Sequence, residues 1–296
     1  MDKKILIIGC GDTGKRVAQQ LLLDKNTIYA TSHQAKSQAL LQKLNINVVP
    51  ANLDKVDSLA ELPTENANIF YFAPPPITGT IDTRMQNFID SLEARKAPKR
   101  IVYISTTGVY GDYRGEWVSE NTTLNPTNDR SKRRTHAESL IQAFCAISHC
   151  EFIILRVAGI YCLEKLPLTR LTSGMKVLHP AIALPSNRIH ANDLANCCIQ
   201  AMYSSPANEI FNVADGSPSS ISDYFIQTAK AFNLPTPEYL DWEQAEKELS
   251  PAMLSYLKES KKINITKLLK TLNVQLNYRT LIDGLTQCRM EKKNHS

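Results

Sequence analysis

Three glycines, Gly9, Gly11 and Gly14, stand at G-x-G-x-x-G spacing near the start of the chain. Glycine at those positions permits a tight turn (Gly9), close approach of backbone to a pyrophosphate (Gly11) and close packing of a helix on a strand (Gly14). Asp12 and Thr13 fill the loop between them. Ser32, His33 and Lys36 form a second polar group, and no carboxylate occurs between Asp24 and Asp54. A ribose 2′-hydroxyl is ordinarily held by an acid in that region, whereas donors without an acid admit a 2′-phosphate. NADP is therefore expected ahead of NAD, and the plain alternative is a polar turn. The third group is basic: Arg130, Lys132, Arg133 and Arg134. Arg130 and Arg134 are four residues apart and share a helix face. Two guanidinium groups there can stabilise an oxyanion or clamp a carboxylate or phosphate, or they can be a solvated face.

The elements that must position these groups alternate. Ile5-Leu6-Ile7-Ile8 reads as a buried parallel strand, and Val17, Ala18, Leu21 and Leu22 recur at helical spacing after the glycines. Further strands are read at 27–31, 46–50, 68–73 and 100–105, with helices at 37–44, 84–95, 131–146, 192–202, 222–232 and 242–249. Asp193 reads as the cap of its helix. Pro74-Pro75-Pro76 stops the fourth strand, because proline cannot continue a ladder. This alternation predicts an α/β fold built on a doubly wound parallel sheet. In such sheets ligands sit beyond the carboxyl ends of the strands. The candidate site then collects Gly9, Gly11, Asp12, Thr13, Gly14, Ser32, His33, Asn52, Leu53, Ala73, Pro74, Ser105, Thr106 and Thr107.

Bulk properties narrow the class. The 296 residues are 43% hydrophobic, enough for a sizeable core. A net charge of +5 with scattered basic residues does not argue for nucleic acid. No apolar run reaches the ~18 residues of a membrane span, and the first one stops at the glycine turn, unlike a signal peptide. The seven cysteines form no C-x-x-C pair and no disulfide framework. Free thiols imply a reducing, cytoplasmic setting. Cys10 lies inside the glycine loop, where it reads as a small turn residue. The six histidines lack metal-ligand spacing, so no metal site is expected.

Ser105-Thr106-Thr107-Gly108-Val109-Tyr110-Gly111 resembles a segment of the extended short-chain dehydrogenase/reductase superfamily, the nucleotide-sugar epimerases and dehydratases. Further matches follow in order: Glu120 with Pro126, Ala137-Glu138, Leu155-Arg156-Val157-Ala158-Gly159-Ile160-Tyr161, Arg188-Ile189-His190-Ala191-Asn192-Asp193-Leu194-Ala195, Ile210-Phe211-Asn212-Val213-Ala214, and Ser260-Lys261-Lys262-Ile263 with Lys267-Leu268. The resemblance spans nearly the whole chain and implies a Rossmann domain over residues 1–161. Residues 188–214 return to it, residues 162–187 and 215–290 form a smaller substrate-binding part, and 291–296 are a disordered tail. It also implies a small-molecule substrate such as a nucleotide sugar, Thr106 at the catalytic Ser/Thr position, and Thr107, Tyr110 and Arg188 near substrate. The helices at 84–95 and 131–146 resemble those that pair in family homodimers.

One departure stands out. The family's catalytic helix carries Tyr-x-x-x-Lys, and anchoring on Ala137-Glu138 places Arg130 at the tyrosine and Arg134 at the lysine. No register supplies a tyrosine, because none occurs between Tyr113 and Tyr161. Arginine cannot act as general acid or base, since its pKa stays above ~12. Arg134 can still hold a ribose. A proton donor must come from elsewhere, with Tyr110, Tyr161 and His136 as candidates by chemistry. Two functions follow: an NADP-dependent, epimerase/dehydratase-like oxidoreductase with an altered proton relay acting on a small, anionic carbonyl or hydroxyl compound, or a non-catalytic NADP-binding sensor.

Overall fold

The computed structural model describes residues 4–24, 26–92 and 96–294. Seven parallel strands form the central sheet: β1 (Lys4–Ile8), β2 (Thr27–Thr31), β3 (Asn47–Val49), β4 (Asn68–Tyr71), β5 (Arg100–Thr106), β6 (Glu151–Val157) and β7 (Glu209–Val213). Their order is β7-β6-β5-β4-β1-β2-β3. The order reverses between β1 and β4, where Ile5 pairs with Ile28 on one side and Asn68 on the other. The crevice beyond that reversal is the place such sheets bind ligands.

β1 shows how the sequence builds both layers. Alternate side chains of a strand face opposite sides. Ile5 and Ile7 pack with Val17, Leu21, Leu194 and Cys197, from helices α1 (Asp12–Leu22) and α5 (Ala191–Tyr203). Leu6 and Ile8 pack with Met85, Phe88, Ala137 and Ile141, from α3 (Thr83–Asp90) and α4 (Asp129–Ile147). α2 (Ala35–Lys43) crosses between β2 and β3. A run buried on both faces therefore needs no polar alternation.

Several boundaries differ from the sequence expectation. The helix expected over 84–95 ends at Asp90, and residues 93–95 lie outside the described residues. Asp82 caps it by accepting a hydrogen bond from the Met85 N–H. Asp193 is not the cap of α5: His190 is, and the buried Asp193 carboxylate accepts from the backbone N–H groups of Asn277 and Tyr278 at 3.0 and 2.9 Å. The tail expected from 291 is helical through 294, within Leu281–Asn294, while 295 and 296 lie outside the described residues.

The later part of the chain forms short strand pairs outside the central sheet. Lys176–Leu178 pairs with Glu238–Leu240, Pro185–Ser186 with Ser219–Ser220, and Lys262–Ile263 with Trp117–Val118. The helix Pro251–Leu257 thereby lies at the carboxyl ends of β5 and β6. No helix among the described residues is long and apolar enough to cross a membrane.

Candidate active site

The glycine loop has the geometry its spacing predicts. Gly9 sits at φ +82°, and a Cβ there would lie 2.4 Å from the Ala73 backbone nitrogen. Ala73 is thus held against the loop by the absence of a side chain. Gly14 packs against Ile7. A Cβ on Gly11 would meet nothing within 4 Å, and Gly11 caps α1 without any side-chain hydrogen bond. α1 thus begins at an open position with no side-chain cap, which fits an anionic phosphate at a helix N-terminus. Thr13 is buried beneath the loop. Asp12 is engaged elsewhere: it pairs with Arg16 at 3.1 Å and Lys165 at 2.8 Å. Burial alone would raise its pKa, but Lys165 and Arg16 hold it below the usual carboxylate range. Burial pushes the Cys10 thiol up to about 12, so it is a turn residue and not a nucleophile.

At the end of β2, Ser32 is half-buried and His33 and Lys36 are exposed. Asp54, the nearest following acid in sequence, is bound by both Arg84 Nε and Nη2, at 2.7 and 2.8 Å. Arg84 also donates to the Pro74 carbonyl at 3.2 Å. Asn52 closes an Asx turn on the Asp54 N–H, and Asn87 donates to the Leu53 carbonyl at 2.8 Å. The ends of β3 and β4 are thereby fixed beside the glycine loop.

A cleft of about 620 Å³ opens at the ends of β5 and β6. Ser105, Thr106 and Thr107 line it together with Arg130 and Arg134 from the start of α4. Gly108 lets α4 come this close, because a Cβ there would lie 2.8 Å from Ser131 Oγ. Thr106 Oγ1 accepts from the Gly108 N–H at 3.2 Å, which leaves its own hydroxyl proton free to donate. Ser105 Oγ is committed to Glu138 at 2.5 Å. Glu138 in turn pairs with Arg156 at 2.8 Å, both buried. Arg156 continues to Tyr110 Oη at 3.0 Å, and Tyr110 donates to Asn212 at 2.8 Å.

The two arginines have different surroundings. Arg134 is buried, with Nη1 donating to the Ile104 carbonyl at 2.9 Å and to Tyr103 Oη at 3.1 Å. Its Nε is buried without a partner. Arg130 is exposed on the cleft wall and makes no hydrogen bond or ion pair with another described residue. Partial burial, and then the charges of Arg134 and Arg133, push its pKa down, although a guanidinium so placed stays protonated. A cation that its neighbours repel is a ready partner for an anion.

Other expected residues do not reach the cleft. Tyr110 is fully buried in the Glu138–Arg156 network. Arg188 is spent on the Ser186 hydroxyl, the Ser219 side chain and the Ser220 carbonyl. Of the proposed proton donors, Tyr161 is buried with its hydroxyl unpartnered against Gly284. His136 Nδ1 accepts from the Asp82 N–H at 3.2 Å, on the other side of α4's base. The cleft instead holds Asn128, Asn187, Tyr256 and Glu259, which the motifs left out, and Lys261, whose motif was given no place in the site. Lys261 is buried, donating to the Gly111 carbonyl and to Glu259, both at 2.6 Å. The Ser250-Pro251 pair was a usable signal for the helix that carries Tyr256, since Pro favours the first helical position. No group of three or more metal-ligating side chains occurs among the described residues.

Comparison with known proteins agrees with this geometry. The model of the NAD(P)H-binding family matches residues 9–205. Among solved structures, the chain is similar to a functionally unknown conserved protein from Silicibacter pomeroyi, at 25% identity over 98% of this chain and 99% of that one, with a TM-score of 0.82. It shares its fold with UDP-glucose 4-epimerase from Thermotoga maritima, solved with UDP-glucose (14% identity, 99% of each chain, TM-score 0.80). It also shares it with MoeE5 in complex with UDP-glucose and NAD (18% identity, 99% of this chain and 100% of that one, TM-score 0.75). No curated protein matches the sequence. The chain therefore belongs to the NAD(P)H-binding family, and it shares its fold with nucleotide-sugar epimerase structures.

Proposed function

We propose that this chain is an NADP-dependent, epimerase/dehydratase-like oxidoreductase that acts on a small anionic carbonyl or hydroxyl compound. The observation that carries the reading is Arg130: an unpaired guanidinium on the wall of the cleft that also holds Thr106. When bound, the nicotinamide supplies or takes a hydride at a carbonyl or carbinol carbon. The chain's own residues do the rest. The first N–H groups of α1, opened by Gly11, hold the pyrophosphate. Ser32, His33 and Lys36 take a 2′-phosphate, and Arg84 neutralises the nearest following carboxylate, Asp54. Thr106 donates to the reacting oxygen, and Arg130 stabilises negative charge on it or on a neighbouring carboxylate or phosphate of the substrate. In this division of labour residues 1–161 and 188–214 serve the cofactor, and 162–187 and 215–290 close over the substrate.

A second reading, a non-catalytic NADP-binding sensor, draws support from Arg134. Where the family's lysine would reach a ribose, Arg134 is bonded to Tyr103 and the Ile104 carbonyl. Titration calorimetry and turnover together separate the readings. The oxidoreductase reading predicts tighter binding of NADPH than NADH, and NADPH oxidation with some member of a panel of anionic ketones, aldehydes and nucleotide sugars. R130A should lose about 10²–10³-fold in turnover, the cost of removing one oxyanion donor, with NADPH affinity unchanged. Tighter binding of NADH refutes the NADP preference. A wild-type chain that binds NADPH yet turns over nothing in the panel favours the sensor.

A further inference from the structure

The cleft needs a group that can give up a proton, and α4 does not carry one. The geometry points to Tyr256 of the C-terminal helix Pro251–Leu257 as the proton donor to the substrate oxygen; this rests on the oxidoreductase reading above. The inference comes from an inventory of the cleft's polar side chains. Ser105 is committed to Glu138. Lys261 gives its ammonium protons to Gly111 and Glu259, and Glu259 is thereby paired. The guanidinium groups do not release protons near neutral pH. A threonine or serine hydroxyl is too weak an acid to serve alone. Tyr256 is the one phenol on the cleft wall among the described residues, 46% exposed and free of hydrogen bonds. Four nearby tyrosines are occupied or sealed, Tyr103 by Arg134, Tyr110 by Arg156 and Asn212, Tyr113 by the Thr123 carbonyl and Tyr161 by Gly284, and Tyr224 lies under Arg188 with burial raising its phenol.

The structure also joins the segment that carries Tyr256 to the start of α4. Asn128, the cap of α4, donates to Glu259 Oε2 at 3.4 Å. Arg130 follows Asn128 by two residues, and Tyr256 precedes Glu259 by three, so that contact joins the two segments at one rim of the cleft. In the reducing direction, Tyr256 Oη gives its proton to the carbonyl oxygen while the carbonyl carbon receives the hydride of the reduced nicotinamide. The phenolate then regains a proton from water. A phenol lost from the Tyr-x-x-x-Lys position thus returns to the same cleft from a different element.

The test compares the wild-type chain with Y256F in three readouts. NADPH affinity, followed by fluorescence, should be the same in both, which also shows that Y256F is folded. NADPH oxidation on the best substrate of the panel should fall by about 10²–10⁴-fold in kcat, with less than a threefold change in KM. Nitration by tetranitromethane, mapped by peptide mass, should modify Tyr256 and spare Tyr110 and Tyr161. NADP together with the panel substrate's product should slow nitration of Tyr256 at least tenfold. A Y256F rate within twofold of wild type, or nitration of Tyr256 that the two ligands do not slow, overturns the assignment and leaves the oxidoreductase reading standing. No turnover by the wild-type chain overturns both.

Discussion

Replacing Gly9 and Gly11 separately by alanine should separate folding from cofactor binding within one loop. At Gly9 an alanine would hold φ near +82°, which costs a non-glycine residue about 1–2 kcal/mol. Its Cβ would also lie 2.4 Å from the nitrogen and 2.5 Å from the Cα of Ala73, both backbone. Backbone cannot swing aside as a side chain can, so overpacking adds about 1–3 kcal/mol. The total, roughly 3 kcal/mol, corresponds to a melting temperature lower by roughly 6–10 °C. At Gly11 the balance differs. A Cβ meets nothing within 4 Å and φ is −77°, so no strain arises. Loss of a favourable cap residue and the stiffer unfolded chain offset one another to within about 1 kcal/mol. The same Cβ fills the space through which a phosphate reaches the α1 N–H groups. Losing one charge-assisted hydrogen bond costs about 1.5–3 kcal/mol, or roughly 10–100-fold in NADPH affinity. Scanning fluorimetry without ligand and calorimetry with NADPH read the two effects. A G11A chain that binds NADPH as tightly as wild type, or a G9A chain that melts with it, would refute the loop's assigned roles.

Two further outcomes follow from the buried charges. E138Q strips the partner from Arg156 in the interior and weakens the Ser105 contact, so urea unfolding should show a loss of about 3–5 kcal/mol; a loss under ~1 kcal/mol contradicts a structural role for the pair. The pH dependence of stability should carry a mark of Asp215. Burial, only partly opposed by the Ser217 N–H and Arg188, raises its carboxyl from 3.8 to about 7. The folded state therefore favours the protonated form. This contribution is full below pH 3.8 and is lost as pH rises towards 7, on the order of 4 kcal/mol at about 1.4 kcal/mol for each intervening pH unit. D215N, neutral throughout, should be more stable than wild type at pH 8 and lose that advantage by pH 4. His190 works in the other sense: burial lowers it from 6.5 to about 4, so its contribution is present above pH 6.5 and fades as pH falls towards 4. Parallel pH–stability curves for wild type and D215N would contradict the assignment for Asp215.

Much of the sheet was legible because each strand carries its own signal. Ile5-Leu6-Ile7-Ile8 and the 100–105 segment are apolar runs followed by turn residues, and local pattern suffices for them. The strand read at 46–50 shortens to Asn47–Val49, since an edge strand pairs on one side only. Residues 162–187, where no helix or strand was read, contain Leu168–Thr172 and Lys176–Leu178. The latter strand is three residues long and exists because Glu238–Leu240 lies beside it, sixty residues on. No local pattern announces such a partner. The same holds for the cleft. Gly11, Thr106 and Arg130 could be picked out from motif spacing. Tyr256 and Lys261 arrive through the pairing of Lys262–Ile263 with Trp117–Val118, which only the folded chain reveals. Tyr110 and Arg188 were read as substrate contacts from their motif positions, yet their bonding partners lie at Asn212, Arg156, Ser219 and Ser220, and the folded chain closes them in.

The most direct measurement is a crystal structure of the chain with NADP bound. The account predicts the pyrophosphate on the N–H groups at the start of α1 beside Gly11, the nicotinamide in the cleft next to Thr106, and the Arg130 guanidinium facing the space above the ring. A nicotinamide lodged outside that cleft, or Arg130 turned away into an ion pair with another part of the chain, would contradict it.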